Sequence, residues 1–328
     1  MSQGESAESE LMSFETFMSD ALHHPECGYY ARKIATVGRG GDFTTTAEIA
    51  PCLARAIADW LVRMARETGC RQVIELGPGS GKLAHAVRRQ LPWRWRWSLH
   101  WHLVEQSEPL RQKQRALLGK RVTWHRDVSK ALACCGGRAL IYSNEFFDAF
   151  PVRIFRRAQQ SWQELFVRPM EPIAREVWCE AEDLPSTSLW QRDWSDGQRV
   201  EVHDRVRTWL QGFRNEWRSG AMLTIDYGAE CADMYHRQPH GSIRAYWRQQ
   251  CRTGSAIYEN CGHQDLTADV NFTDLRDWAG EGEHEIKSQR EFLLPWIDGQ
   301  HAGDSYAVDE MGAGQAFRVW QWLRNSSS

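Results

Sequence analysis

Two short strings in this 328-residue sequence combine residue types and spacings that suit chemistry: VIELGPGSGKL (73–83) and SNEFFD (143–148). The first reads as a strand, a tight glycine turn and the start of a helix. Such a turn lets backbone approach a ligand closely and aims helix N-terminal N–H groups at it. Spacing then separates the nucleotide classes. A dinucleotide fingerprint requires G-x-G-x-x-G, but after Gly77 and Gly79 the third glycine position holds Lys82. A P-loop requires G-x-x-x-x-G-K-[ST]; Gly81-Lys82 fit, whereas positions 76 and 83 are both leucine. The second string sets Asn144, Glu145 and Asp148 directly after an apolar run. Paired carboxylates can make charge-assisted hydrogen bonds to a donor-rich group. Capping of the turn before Phe150-Pro151 is the plainer use of Asp148.

What does stand in the glycine loop is E-x-G-x-G-x-G: Glu75, Gly77, Gly79 and Gly81. That is the spacing of class I methyltransferases, whose cofactor is S-adenosyl-L-methionine; a purely structural turn is the alternative. Two more acids fall where a nucleoside needs them. Glu105 follows a strand (HLVEQS), placed to accept hydrogen bonds from both ribose hydroxyls, and Asp127 follows the next (WHRDV), placed for the adenine amino group. Either alone is an ordinary loop acid. Acids at successive strand ends, on one sheet edge, favour the ligand.

The elements that must position these groups alternate. Strands are expected at 72–76, 98–104, 121–125 and 139–142, with helices at 82–90 and 108–118, which implies a parallel, doubly wound sheet. The fold class is therefore α/β, a Rossmann-like class I methyltransferase fold. The strand after SNEFFD, at 221–226, should bring Asp226, Tyr227 and Gly228 to the same cleft. Residues 1–10 read as a disordered tail and 11–68 as an N-terminal helical lid segment. Within that segment Ser13 caps a helix that stops near His24-Pro25, and a second helix covers 50–67. Residues 69–328 form the methyltransferase domain, with an inserted lobe at about 152–200: a hairpin over 152–168, then a polar irregular stretch over 169–197. A helix is expected over 200–217. The string WRWRWSLHW (93–101) alternates with period two and predicts a strand with one aromatic and one Arg-rich face.

The bulk numbers exclude more than they assign. Net charge is −3, so no global attraction to nucleic acid or an anionic surface is expected. No apolar run nears the roughly 18 residues of a membrane span. The first ten residues are acidic and lack Arg and Lys, unlike a secretory or mitochondrial leader, so a cytoplasmic location is expected. Nine cysteines, with no C-x-x-C pair, argue against a disulfide framework. Cys251, Cys261 and His263 match no standard zinc spacing, and no metal is expected.

Several strings together resemble the MidA family, which includes bacterial proteins and the mitochondrial arginine methyltransferase that assists respiratory complex I assembly. They are HHPECGYY (23–30), VGRGGDFTTTAEIAP (37–51), ELGPGSG (75–81), VEQSEPLRQKQ (104–114), NEFFDAFPV (144–152), LTIDYG (223–228), GSIRAY (241–246) and GHQDLTADVNF (262–272). The resemblance implies a methyltransferase acting on a protein arginine, such as one in a respiratory-complex subunit, whose guanidinium Glu145 and Asp148 would clamp so that one nitrogen becomes nucleophilic; charge and hydropathy predict no nucleic-acid or membrane partner, and a homodimer is compatible. It also favours a lid role for Gly38, Gly41, Asp42 and Thr44 over that of a plain surface loop. Arg244 and Asp269 are weaker site candidates that serve equally as structural groups. Two rivals stay open: methylation of a small molecule or another side chain, and a noncatalytic assembly factor that retains the cofactor fold.

Overall fold

A computed structural model describes residues 11–32, 50–169, 174–236, 238–248 and 250–325. Gly38, Gly41, Asp42 and Thr44, and the expected tail at 1–10, lie outside these residues. The main sheet contains β1 (Gln72–Leu76), β2 (His100–Val104), β3 (Val122–His125), β4 (Arg138–Asn144), β5 (Ser219–Ala229), β6 (Glu283–Ser288) and β7 (Phe317–Arg324). Their order is β6-β7-β5-β4-β1-β2-β3. Pairing is parallel from β3 through β5, and β7 runs antiparallel between β5 and β6. This is a Rossmann-like methyltransferase sheet.

Seven helices matter for the site: α1 (Phe14–His23), α2 (Pro51–Thr68), α3 (Lys82–Gln90), α4 (Glu108–Leu118), α5 (Val128–Cys134), α6 (Asp204–Glu216) and α7 (Phe272–Ala279). The sheet is buried on both faces, so its strands read as continuous apolar runs. Along β4, Leu140 and Tyr142 join the core under α2 and α3, while Ala139 and Ile141 join the core under α6 and α7. Side chains alternate across a strand, so one run of sequence feeds both layers. Charged groups are thereby pushed to strand ends. That is why the candidate site residues gather at the carboxyl edge.

The N-terminal segment divides between two bodies. As expected, Ser13 caps α1, accepting from Thr16 N at 3.1 Å, and α1 ends at His23 before His24-Pro25. But Phe14, Met18 and Leu22 pack against Ile154, Leu165 and Val167 of the inserted lobe, and Met12 pairs with Val167 in its sheet. Helix α2 belongs instead to the core of the main sheet.

Three local expectations are corrected. Residues 93–98 form a short helix rather than a strand, and β2 starts only at His100. Pro92 sits at its N-cap with φ −53°, and the alternating aromatics also satisfy helical spacing, since Trp93 and Trp97 are four apart and share a face. The expected helix over 200–217 splits into a lobe strand, Arg199–Val202, with Val200 and Val202 buried, and then α6. The stretch 169–197 is not wholly irregular: Arg175–Glu180 adds a strand to the expected hairpin of Arg153–Ala158 and Ser161–Arg168. No helix among the described residues is long and apolar enough to cross a membrane.

Candidate active site

The cofactor half is built from consecutive sequence. Gly77, Gly79 and Gly81 all take left-handed backbone, with φ of 60°, 51° and 80°. Around Gly79 nothing lies within 4 Å of where a Cβ would stand, so backbone faces open space. Gly81 is the N-cap of α3 and supplies no side-chain cap, which leaves helix N–H groups for a ligand. Gln114 of α4 braces the loop from behind, donating to the Gly79 carbonyl at 2.7 Å. These features fit the negatively charged end and backbone-contacting portion of a nucleoside cofactor.

The three acids of this half differ in their duties. Glu75 is almost fully buried and accepts the Tyr142 hydroxyl at 2.8 Å. Burial pushes its carboxyl up to about 8. It supports the turn from inside the sheet rather than facing the ligand. Glu105 follows β2, where its Oε1 accepts from Ser107 N at 2.9 Å, and burial pushes it up to about 7. Asp127 is the N-cap of α5, accepting from Lys130 N at 2.8 Å and pairing with Lys130 Nζ at 3.2 Å. Both of its oxygens are engaged locally, so an adenine contact must use remaining lone pairs.

The acidic half starts where β4 ends. Glu145 holds φ 54°, a conformation that a glutamate rarely adopts. The turn is held there by Asp226 of β5, whose Oδ2 accepts from Phe146 N at 3.0 Å and Phe147 N at 2.8 Å. Glu145 N in turn donates to the Ile225 carbonyl at 2.9 Å. Asp226 is fully buried, so it positions the turn and does not itself line the cleft as expected. Phe146 abuts the glycine loop: a Cβ on Gly77 would stand 2.9 Å from its ring. Phe147 and Phe150 join Trp209 of α6 in one aromatic cluster. The glycine loop and the SNEFFD turn are thus in direct contact.

Asp148 is buried beside Asp226. Burial raises it to about 7, opposed by the Arg244 guanidinium and augmented by Asp269. Burial and Asp148 push Asp226 up as well, as expected when two carboxylates share a dry site. Amides of the turn, including that of Ala149, also hold the Asp148 carboxylate, so the capping role coexists with the electrostatic one. Asn144 Nδ2 donates to Glu145 Oε1 at 3.0 Å. Its own Oδ1 is buried and has no partner among the described residues.

Arg244 and Asp269 prove to be an ion pair at 2.6 Å. The guanidinium also donates to the Tyr246 hydroxyl at 3.1 Å and lies 4.7 Å above the Tyr227 ring. Sequence reasoning missed Tyr30, Asp265 and Tyr246. Tyr30 donates to Asp265 Oδ1 at 3.0 Å, and burial, then the charges of Asp265 and Asp148, push its hydroxyl up. The only signal for these three was their place within HHPECGYY, GHQDLTADVNF and GSIRAY.

A doubly wound sheet with an uncapped glycine turn, a carboxylate after β2 and an acidic turn after β4 defines a class I methyltransferase. The comparisons agree. The sequence profile of a family of S-adenosyl-L-methionine-dependent methyltransferases matches residues 52–289. A Burkholderia thailandensis protein solved with S-adenosyl-homocysteine bound superposes with a TM-score of 0.83 at 25% identity, over 98% of this chain and 90% of its own. The Danio rerio protein arginine methyltransferase NDUFAF7, mitochondrial, is 29% identical over 82% of this chain and 69% of its own length. Its Homo sapiens counterpart is 26% identical over 80% and 64%. The chain belongs to the MidA-like family of S-adenosylmethionine-dependent methyltransferases.

Proposed function

We propose that this methyltransferase modifies an arginine side chain of a protein. The observation that carries the reading is the turn after β4. It gathers Glu145, the buried Asp148 and the buried Asn144 Oδ1, which has no partner among the described residues, while its Phe146 touches the glycine loop. Bound S-adenosylmethionine supplies an electrophilic methyl group. The residues of this chain must then orient an acceptor in line and exclude water. Glu145 and Asp148 suit the donor fork of a guanidinium, and Asn144 Oδ1 adds an acceptor for an N–H. An arriving cation favours ionised Asp148, which is poised near neutrality to take up the proton released when the nitrogen is methylated. The curated relatives named above are protein arginine methyltransferases, which supports the same acceptor.

The test is to incubate the enzyme with isotopically labelled S-adenosylmethionine and cell lysate, then map label by mass spectrometry. Label on arginine of a discrete protein is the expected result. Label confined to small molecules, or to other side chains, would replace this acceptor with a rival.

A further inference from the structure

The Trp- and Arg-rich segment has no part in the site just described. The helix Trp93–Ser98 precedes β2, and the turn Gly119–Arg121 precedes β3, so both lie at the amino edge of the sheet, opposite the cofactor cleft. Trp93 is 72% exposed and Trp97 63%, whereas Trp60, Trp217, Trp320 and Trp322 are fully buried. Large exposed aromatics that gain nothing from the core mark a binding surface. Around them stand Arg88, Arg89, Arg94, Arg96, Lys120 and Arg121, and neither 88–98 nor 119–121 contains an Asp or Glu. The Arg121 guanidinium lies 4.0 Å above the Trp97 ring. Arg88 feels the positive charge of both Arg96 and Arg121. A chain of net charge −3 therefore carries a concentrated positive patch, and its overall charge conceals it.

We propose that this amino edge docks the enzyme on an anionic membrane surface, as a peripheral contact that leaves the acidic cleft facing away. Charge complementarity selects the occupant. Indoles settle at the lipid headgroup level, with an apolar body inward and a wet N–H, while arginines are drawn to anionic lipid. Nucleic acid fits less well, because base stacking needs bare ring faces. Here Arg121 covers one face of Trp97, so of the two exposed indoles only Trp93 stands without a guanidinium against it among the described residues.

The test is co-sedimentation of the full chain with vesicles of phosphatidylcholine, with and without phosphatidylglycerol, at low and high salt. Binding is expected only to the phosphatidylglycerol vesicles and is expected to weaken with salt. Arg94→Glu with Arg121→Glu should lower that affinity at least about tenfold. Trp93→Ser with Trp97→Ser should lower it at moderate salt too, and both pairs should keep the wild-type Tm and S-adenosylmethionine affinity. The proposal is overturned if the wild type ignores phosphatidylglycerol vesicles, or if folded variants bind them equally well. Binding of an oligouridylate without vesicle binding would overturn it in favour of nucleic acid.

Discussion

The two halves of the active cleft are assembled differently. The cofactor half comes from one continuous stretch: strand, glycine turn and helix 73–90, then Glu105, then Asp127, each at the end of the next strand. The proposed acceptor half draws Tyr30, the 144–148 turn, Asp226, Arg244, Asp265 and Asp269 from segments spread over more than two hundred residues. Its groups are buried and close together, and its key turn holds Glu145 at φ 54° with Asp226 accepting two of the turn amides and the Ile225 carbonyl a third. Damage to the first half should therefore act on cofactor affinity. Damage to the second should act on turnover.

The largest expected effect is in the cofactor half. Gly79→Val puts a branched side chain at φ 51°, where only glycine is unstrained, and into the space where backbone meets ligand. Calorimetry should show S-adenosylmethionine binding abolished in a folded protein; retained affinity would detach the loop from the cofactor. Glu105→Ala should be milder, weakening cofactor binding by about 1.5–3 kcal/mol through a lost charge-assisted hydrogen bond.

The same residue predicts a pH dependence. Glu105 titrates near 7 in the free enzyme, and its ionised form is the better acceptor for ribose hydroxyls. Affinity should hold above that pH and fall by up to about tenfold per unit below it. Glu105→Gln should flatten the profile. A wild-type affinity that is level from pH 8 to about 6 would show that Glu105 does not meet the ligand.

A further effect concerns stability. Glu75 rises from 4.5 to about 8 on folding, so its contribution is fully present below about 4.5 and is lost as pH rises through about 8. Glu75→Gln keeps an acceptor for the Tyr142 hydroxyl and removes the charge. Its Tm relative to wild type should climb by a few kelvin between pH 5 and 8. A constant difference would mean that Glu75 is not held protonated.

Legibility follows the same division. The strand–turn–helix of the glycine loop was readable because its determinants are local: glycines at fixed offsets and strands apolar on both faces. The boundaries of β1, α3 and α4 match those read from the sequence. From sequence Asp226 reads as a cleft residue because the apolar run before it ends there. Nothing local says that its carboxylate turns inward to the amides of Phe146 and Phe147. Tyr30 and Asp265 are joined by a bond across 235 positions, which no periodicity reports. The Trp93–Ser98 helix hides in its sequence because alternation by two also contains spacings of four.

The central claim is that the turn after β4 holds the methyl acceptor, and Glu145→Gln tests it most directly. Glutamine keeps the size and the oxygen that accepts from Asn144, but removes the charge and turns an NH₂ toward the donors of a guanidinium. Turnover of wild type and variant should be compared on the same arginine-containing protein at saturating S-adenosylmethionine, with cofactor affinity measured alongside. The account predicts unchanged cofactor affinity and methyl transfer reduced by about a hundredfold or more. Equal rates would contradict it and place the acceptor elsewhere on the carboxyl edge.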